Sequence, residues 1–393
     1  MKTRRKKLEA NIWKFYLYRI FASIFFAMPI FVLYYQDNGL SMTQVMILQS
    51  IYTAISMVTV ILFGIIADYI GRKKVLVAST IIYILTWVLF AMSHNFKQFL
   101  LAEIAAALSA SMWVASGTAF FYDNLRELKR EKKFKKLYGN VISINYLMWG
   151  ISALIGGYMA VKSLRFPYWA TTITAFIALL VSFTLTETKK YKHADTHYLT
   201  HLKQAAQFAI KHPKVRLFIL YSSIIFSMGF ICYMFYQPYF NQIKINLVYF
   251  GWIYLLMNLA AAFGSKSAHK IEKYLGEKKI LLIILLIMII SFFGISKELI
   301  ILGAIFPILL SFNSGIFEPV ISDYMNKHID SHHRSTVLSL GFVVTQMMST
   351  VLAPFFGWIV DFWSLETAFL TATIILIINL VILIGLFIIS KKK

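Results

Sequence analysis

The chain has 393 residues, of which 59% are hydrophobic and only 14% are charged. Soluble domains carry about 45–50% apolar and roughly 25% charged residues, so this composition excludes an ordinary soluble protein and indicates lipid as the solvent. The single cysteine, Cys232, excludes a disulfide framework and a cysteine-based metal site. We therefore predict an integral membrane protein.

Apolar segments long enough to cross a hydrocarbon core as helices follow one another along the chain. They lie near residues 12–36, 42–66, 75–93, 98–122, 140–161, 166–186, 216–240, 246–265, 279–296, 299–322, 336–360 and 366–389. The basic N-terminus precedes a long apolar run without a small-residue cleavage site, which favours a retained first helix over a signal peptide. The outer loops are all short, so specificity should lie in the helices.

Charge along the chain predicts the orientation of the spans. The net charge is +22, with 39 Lys and Arg against 17 Asp and Glu. If the N-terminus is cytoplasmic, the basic residues outside the cell are only these: Lys97, Lys162, Arg165, Lys244 and Lys297. This asymmetry obeys the positive-inside rule and predicts a cell-membrane protein with both termini in the cytoplasm. Topology and attraction to anionic lipids then explain the charge better than nucleic-acid binding does.

A polar stretch divides the spans into two groups of six. We predict an N-terminal six-helix bundle at 1–188, a cytoplasmic linker at 189–215 and a C-terminal six-helix bundle at 216–393. Apolar residues at helical spacing predict a membrane-surface helix near 198–211. The charged segment 126–136 predicts a short linker helix. Prolines within or at the edges of spans predict kinks, and they are Pro29, Pro167, Pro238, Pro307, Pro319 and Pro354.

The loop after the second span carries the most informative motif. Its defining residues are Gly64, Asp68, Gly71, Arg72, Lys73 and Lys74. Gly64 should allow close helix contact and Gly71 a tight turn. An aspartate at a membrane edge is costly unless it is paired, so Asp68 should face a helix N-terminus or an arginine. A simple basic anchor would not explain the aspartate and the two glycines.

This pattern, G-x-x-x-D-x-x-G-R-K, resembles the loop signature of the major facilitator superfamily of transporters. The resemblance implies an all-α membrane fold of twelve transmembrane helices in two pseudo-symmetric six-helix bundles, which transports by alternating access. It also implies a conformational latch in which Asp68, Gly71 and Arg72 join Asp123 at the inner end of the fourth helix. Stretches in the fourth, tenth and eleventh spans resemble a bacterial, drug-exporter-like branch.

Two departures from that branch weigh against proton-coupled drug export. Many of its exporters carry an arginine in the fourth helix, where this chain has Glu103. Their fifth helix carries a G-P-x-x-G-G signature that is linked to antiport. The same place here has Ser152, Gly156 and Gly157, without the first glycine and the proline.

Ionisable residues inside spans are candidates for substrate binding or proton coupling, because burying charge in lipid is expensive. Arg19 lies in the first span, Glu103 in the fourth and Glu318 in the tenth. The resemblance places these helices around a central cavity. As alternatives, Arg19 could snorkel to the membrane surface, Glu103 could be hydrated and Glu318 could pair with the loops. A carboxylate in a low-dielectric cavity readily takes up a proton, as coupling requires.

Polar residues of the seventh and tenth spans complete the candidate cavity. Tyr236 and Gln237 offer hydrogen bonds on the seventh span, and Asn313 does so on the tenth. Neighbouring methionine and aromatic side chains would form an adaptable wall for an amphipathic or cationic solute. We assign Tyr239 to the aromatic belt at the membrane interface.

These features predict a monomeric secondary active transporter, an antiporter that exports small amphipathic or cationic drug-like compounds in exchange for protons. An uptake symporter for a nutrient or metabolite, a transporter-like sensor and a polytopic membrane enzyme are the alternatives. An enzyme needs convergent catalytic groups or metal ligands, whereas His332 and His333 beside Asp330 are more simply solvated loop residues. We predict no catalytic residue, no cofactor, no metal site and no nucleic-acid partner.

Overall fold

The computed structural model describes residues 2–189, 212–298, 303–328 and 334–391, and the regular structure in these ranges is helical. The first helices are α1 (Lys2–Ala22), α2 (Phe31–Asp37), α3 (Met42–Ile70), α4 (Arg72–Met92), α5 (Phe96–Glu127), α6 (Phe134–Lys162) and α7 (Phe166–Phe183). The others are α8 (Pro213–Gln242), α9 (Leu247–Leu275), α10 (Glu277–Ser296), α11 (Ile305–His328), α12 (Arg334–Phe362) and α13 (Leu365–Lys391). The predicted surface helix near 198–211 and the His332 and His333 pair lie outside the described residues.

The first predicted span is interrupted. In the described part of the chain, 11 helices are long and apolar enough to cross a membrane, and these are α3 to α13. Helix α1 ends at Ala22, and a 3-10 turn at Met28–Ile30 leads into α2. Pro29 lacks an N–H and its ring clashes with the carbonyl four residues earlier, which favours a break at this point of the span. The predicted all-α membrane fold is confirmed, with its first crossing broken.

The charged segment between α5 and α6 also differs from its prediction. Residues 126–136 do not form a separate linker helix, because α5 runs on to Glu127 and α6 begins at Phe134. Between them lies only a 3-10 turn, Glu131–Lys133. Lys129 has φ of 58°, a left-handed conformation that ends a helix and reverses the chain. Both flanking helices therefore extend beyond their apolar spans.

The chain divides into two compact units. The N-terminal unit comprises Met1–Leu40 and Leu48–Ala194, and the C-terminal unit comprises Ser41–Ile47 and Asp195–Lys393. In the N-terminal unit α4 packs on α5 and α7, and in the C-terminal unit α10 packs on α11 and α13. The third span of each unit thus contacts the fourth and the sixth, as a repeated six-span unit requires. The predicted boundaries 1–188, 189–215 and 216–393 stay a prediction.

Glycines allow helix backbones to touch in both units. A Cβ at Gly156 of α6 would lie 1.8 Å from the carbonyl oxygen of Phe26, in the interruption between α1 and α2. In the C-terminal unit, a Cβ at Gly264 would lie 2.2 Å from the Phe312 carbonyl oxygen, and one at Gly315 would lie 2.0 Å from that of Ala261. Small residues permit such approaches in membrane bundles. Gly156 therefore holds the broken segment against α6, beside the candidate site.

The motif glycine Gly64 does not behave as predicted. A Cβ at Gly64 would meet nothing within 4 Å among the described residues. The close helix contact predicted for Gly64 is therefore wrong for this structure, since α3 turns this position toward open space.

Candidate functional site

A cavity of about 410 Å³ lies within the N-terminal unit. Its size falls in the range of pockets that hold small organic ligands. Aromatic side chains from the interruption and from α4 and α5 form much of its wall, among them Phe25, Trp87 and Trp113. Two ionisable residues with opposite charges, Arg19 and Glu103, line the same cavity. The structure thus brings together two of the predicted substrate or proton-coupling residues.

Glu103 is held in place by neutral hydrogen-bond donors. Its side chain is buried, with 2% of the residue exposed, so it is not the hydrated carboxylate of the alternative reading. The Tyr35 hydroxyl of α2 donates a hydrogen bond to Oε1 of Glu103, and the Gln49 amide of α3 donates to the same oxygen over 2.6 Å. No hydrogen bond from the described residues reaches Oε2 of Glu103. One carboxylate oxygen is therefore fixed, while the other is available to a proton or a ligand.

Arg19 is likewise buried and does not snorkel, since 8% of the residue is exposed. Its Nε and Nη2 donate to Oδ1 of Asn145 on α6 at 3.0 and 2.7 Å. The Ser23 hydroxyl donates to the same Oδ1 at 2.7 Å. The guanidinium carbon lies 4.0 Å from the ring centre of Trp113, within cation–π range. Asn145 and the ring of Trp113 thus fix the guanidinium in the cavity wall, and Ser23 fixes Asn145 in turn.

The predicted latch residues lie together at one end of the N-terminal unit, which we call the basic end. Arg72 Nη2 lies 3.0 Å from Oδ1 of Asp68, and Arg72 Nε lies 3.0 Å from Oδ2 of Asp123. The Asp123 side chain is 2% exposed, against 36% for Asp68. Gly71 has φ of 113°, a conformation that favours glycine, and it turns the chain between α3 and α4. The basic end therefore carries an arginine held between two aspartates.

Glu187 is a third acidic residue of the basic end, which sequence reasoning missed. Its Oε1 accepts a hydrogen bond from the backbone N–H of Lys73 over 3.0 Å, in the first turn of α4. Its backbone carbonyl accepts a hydrogen bond from Arg4 Nη2 over 3.2 Å. A Cβ at Gly71 would lie 2.6 Å from Glu187 Oε2, so the Glu187 carboxylate lies directly against this glycine. The chain after α7 is thus attached to the motif loop.

Two of the candidates in the C-terminal unit donate hydrogen bonds to neighbouring helices. Gln237 donates to the Tyr254 hydroxyl over 3.1 Å. Asn313 donates to the Ile284 carbonyl over 3.1 Å. Tyr236 is buried as well, whereas Glu318 is exposed on α11. A substrate-binding or coupling role for these four residues stays a prediction.

Tyr239 does not belong to an interfacial belt. Only 1% of the residue is exposed, and its ring packs near the rings of Phe240 and Phe369. A belt residue presents its ring to the membrane interface, so the assignment of Tyr239 to the belt is wrong.

Three hydrogen-bond partners of Glu103 and Arg19 escaped sequence reasoning. Gln49 and Asn145 are polar residues inside apolar spans, and this signal was available to find them. Tyr35 gave no such signal, because aromatic residues are common throughout this chain. Its contact with Glu103 depends on the interruption before α2.

The family comparison covers most of the chain. The family model described as Major Facilitator Superfamily matches residues 19–354, with a second match at residues 273–393. Quinolone resistance protein NorA of Staphylococcus aureus (strain COL) is 25% identical over 171 residues, which are 44% of this chain and 43% of NorA. The match thus spans less than half the length of NorA. The uncharacterized MFS-type transporter YxaM of Bacillus subtilis (strain 168) is 21% identical over 364 residues, 90% of each chain.

Solved structures share the fold over nearly the whole length. The nucleoside transporter NupG superposes with a TM-score of 0.79 at 14% identity, covering 98% of this chain and 98% of NupG. A bacterial homolog of the human lysosomal transporter Spinster superposes with a TM-score of 0.74 at 13% identity, covering 98% and 97% of the two chains. At such identities the similarity shows the fold and carries no information on substrate.

Proposed function

The chain belongs to the Major Facilitator Superfamily, and on that premise we propose that it is a proton-coupled exporter of small amphipathic organic compounds. Transport and a multi-pass membrane location follow from the family. Proton coupling, outward direction, a plasma-membrane location and cytoplasmic termini belong to the proposal. The similarity to NorA, whose name refers to quinolone resistance, favours export over uptake.

The observation that carries the proposal is Glu103 in the cavity wall. A buried ionised carboxylate is costly unless a charge or hydrogen bonds compensate it. Tyr35 and Gln49 hydrogen-bond only Oε1, so a proton or a cationic group is needed to neutralise the remaining charge. The two compete for the same carboxylate, which is the basis of exchange. Solute leaves as the proton arrives, and the proton leaves as the next solute binds.

The aromatic wall supports an amphipathic solute. Trp87 and Phe25 lie with ring centres 4.6 Å apart, and both line the cavity. Such faces bury apolar surface without demanding hydrogen bonds, so compounds of different outline fit. The few polar groups of the cavity wall then fix the orientation of the solute.

We assign the basic end a latch role. Arg72 holds two aspartates at the junction of α3, α4 and α5, and Glu187 attaches the chain after α7 to the same junction. Breaking this network would release these helices from one another. We infer that the network stabilises one access state and that the basic end faces the cytoplasm.

Accumulation in intact cells tests the proposal. Bacteria stripped of their own exporters would express the wild type, Glu103→Gln or empty vector, and would be loaded with norfloxacin or ethidium, with and without an ionophore. Wild-type cells should retain less compound, and both the ionophore and Glu103→Gln should abolish the difference, because glutamine keeps the acceptor oxygen but releases no proton.

The matched control is Glu366→Gln, the same substitution at a carboxylate that is 44% exposed and 3.7 Å from Lys297. It should behave as wild type. Retention equal to empty vector, with the protein present in the membrane, contradicts export of these compounds. Higher retention that depends on Glu103 would instead favour the uptake symporter.

A further inference from the structure

We propose that Arg19 forms an anion subsite in the cavity of the N-terminal unit and that the transported solute carries a carboxylate there. The proposal rests on the proposed function only in taking the bound anion to be part of the transported solute. A carboxylate requirement would distinguish the solute of this chain from a simple organic cation.

The charge of Arg19 is not paired with a carboxylate in the part of the chain that the structure describes. No ion pair among the described residues includes Arg19, and its hydrogen-bond partner there is the neutral Asn145. Arg72, by contrast, contacts two carboxylates. A buried arginine without a counter-ion is expensive in a membrane protein, and such residues mark ligand sites. An anionic group of the solute would supply the missing charge.

The hydrogen-bond pattern leaves the end of the guanidinium available. Arginine has five N–H groups, and Asn145 engages one on Nε and one on Nη2. The pair at the end, one on each terminal nitrogen, takes part in no hydrogen bond of the described residues. That pair matches the two oxygens of a carboxylate in a bidentate contact. Arg19 lines the cavity, and the proposal places a solute carboxylate against this pair.

The subsite is rigid before any ligand binds. Ser23 and Arg19 share Oδ1 of Asn145, which fixes that amide. Trp113 lies against the guanidinium, and a Cβ at Gly117 would lie 2.4 Å from the Trp113 ring. Gly117 therefore makes room for the ring that orients Arg19. A preorganised guanidinium loses little conformational freedom on binding, which favours affinity.

A carboxylate fits the site better than a phosphate does. The cavity offers one fixed positive charge, which balances one negative charge. The hydroxyls of Thr80 and Thr86 in its wall donate instead to backbone carbonyls of their own helix, at 2.9 Å in each case. A phosphate dianion would bring a second negative charge, and the lining residues include no further lysine or arginine to balance it. With Glu103 in the same cavity, the solute class is an amphipathic carboxylic acid, favoured further when it also bears an amine.

Binding to the purified full chain in lipid nanodiscs tests the subsite without a proton gradient. The probes are norfloxacin, which carries a carboxylate and an amine, and its ethyl ester, which lacks the carboxylate. Wild type should bind norfloxacin about tenfold or more tightly than the ester, as expected for a charged hydrogen-bonded contact. Arg19→Gln should remove this preference, and Arg19→Lys, which keeps the charge but loses the fork, should retain part of it.

Arg165→Gln is the matched control, because Arg165 does not line the cavity and lies against His94 and Asn38. It should keep the wild-type preference. Thermal unfolding without ligand shows that each variant is folded, and 2-naphthoate against 2-naphthamide repeats the comparison on a smaller scaffold. Equal binding within both probe pairs, or no binding of either carboxylate to folded wild type, overturns the subsite.

The outcomes separate the subsite from the proposed export. If the purified chain prefers the carboxylate through Arg19 but cells do not export norfloxacin, the subsite is supported and the exporter is contradicted. Export of norfloxacin with equal binding of acid and ester by wild type overturns the subsite and leaves the exporter standing.

Discussion

Two arginines of the N-terminal unit show how surroundings assign different tasks to one residue type. Arg72 lies between Asp68 and Asp123 and is neutralised within the protein. Arg19 lies against Asn145 and Trp113, and its charge remains for a ligand. A paired arginine holds elements together, whereas a buried arginine without a counter-ion favours binding of an anion.

The two aspartates of the latch should contribute unequally. The Arg72–Asp123 pair is buried, so Asp123→Asn should cost about 3 kcal/mol of unfolding free energy, the range for breaking a buried pair. The Asp68 side chain is 36% exposed, and Asp68→Asn should cost about 0–1 kcal/mol. Both variants should insert but transport less. Denaturant unfolding in detergent and cell accumulation measure the two effects, and full transport by Asp68→Asn would contradict the latch.

Gly71 and Gly64 should respond in opposite directions to alanine. Gly71→Ala meets both a φ of 113° and the Glu187 carboxylate, so it should lower the unfolding free energy by about 1–3 kcal/mol. Gly64 lies within α3 with open space around it, and Gly64→Ala should be neutral or stabilising by up to about 1 kcal/mol. The unfolding free energies of the two variants are measured under the same conditions. Equal effects would contradict the left-handed conformation of Gly71.

At the scale of elements, the interruption between α1 and α2 shapes the site. It places Phe25 and Phe31 in the cavity wall and brings Tyr35 to Glu103. The backbone N–H of Phe26 donates to the Thr171 hydroxyl of α7 over 3.2 Å, so a neighbouring helix satisfies part of the broken segment. This is how irregular backbone is tolerated at membrane depth.

Glycines of α6 test that arrangement. Gly156→Ala places a methyl group against the Phe26 carbonyl and should cost about 1–3 kcal/mol, the range for overpacking. Gly139→Ala in the same helix meets nothing within 4 Å and should be neutral or stabilising by about 0.5–1 kcal/mol. Thermal unfolding in detergent distinguishes them, together with norfloxacin binding, which only Gly156→Ala should weaken. Wild-type stability and binding in Gly156→Ala would show that α6 does not contact the interruption at Gly156.

At the scale of the whole molecule, the two units share the contacts of their third span while their interiors differ. The pairs α4 with α5 and α4 with α7 have counterparts in α10 with α11 and α10 with α13. The cavity with both charges lies in the N-terminal unit, whereas Gln237 and Asn313 of the C-terminal unit bond to neighbouring helices. We therefore expect the N-terminal unit to hold the main determinants of solute binding.

Reconstituted protein should separate binding from energy coupling. In proteoliposomes, wild type should drive uphill norfloxacin movement when a proton gradient is imposed, and should also exchange norfloxacin without one. Glu103→Gln should lose uphill movement because the amide carries no proton, and should keep exchange only at higher norfloxacin concentrations because the amide offers no charge to the amine of norfloxacin. Radiolabelled norfloxacin with a pH jump measures both, and uphill movement by the variant would remove Glu103 from the coupling role.

The sequence by itself determined what depends on local pattern. Apolar length and charge asymmetry predicted a multi-span helical membrane protein, and the motif predicted the contact between Asp68 and Arg72, four positions apart on the chain. The sequence also shows Pro29 within the first span. Whether the helix breaks there depends on which residues hydrogen-bond the freed backbone groups, and these residues are remote in sequence.

Only the tertiary structure decided which side chains share the cavity. Arg19 and Asn145 are 126 positions apart, and Tyr35 and Glu103 are 68 positions apart. Their contacts depend on how the helices rotate against one another and where α1 breaks, and hydropathy does not encode these quantities. For the same reason the burial of Tyr239 and the place of Glu187 could not be read from the chain. Helix packing, set by side-chain shape over long separations, decided them.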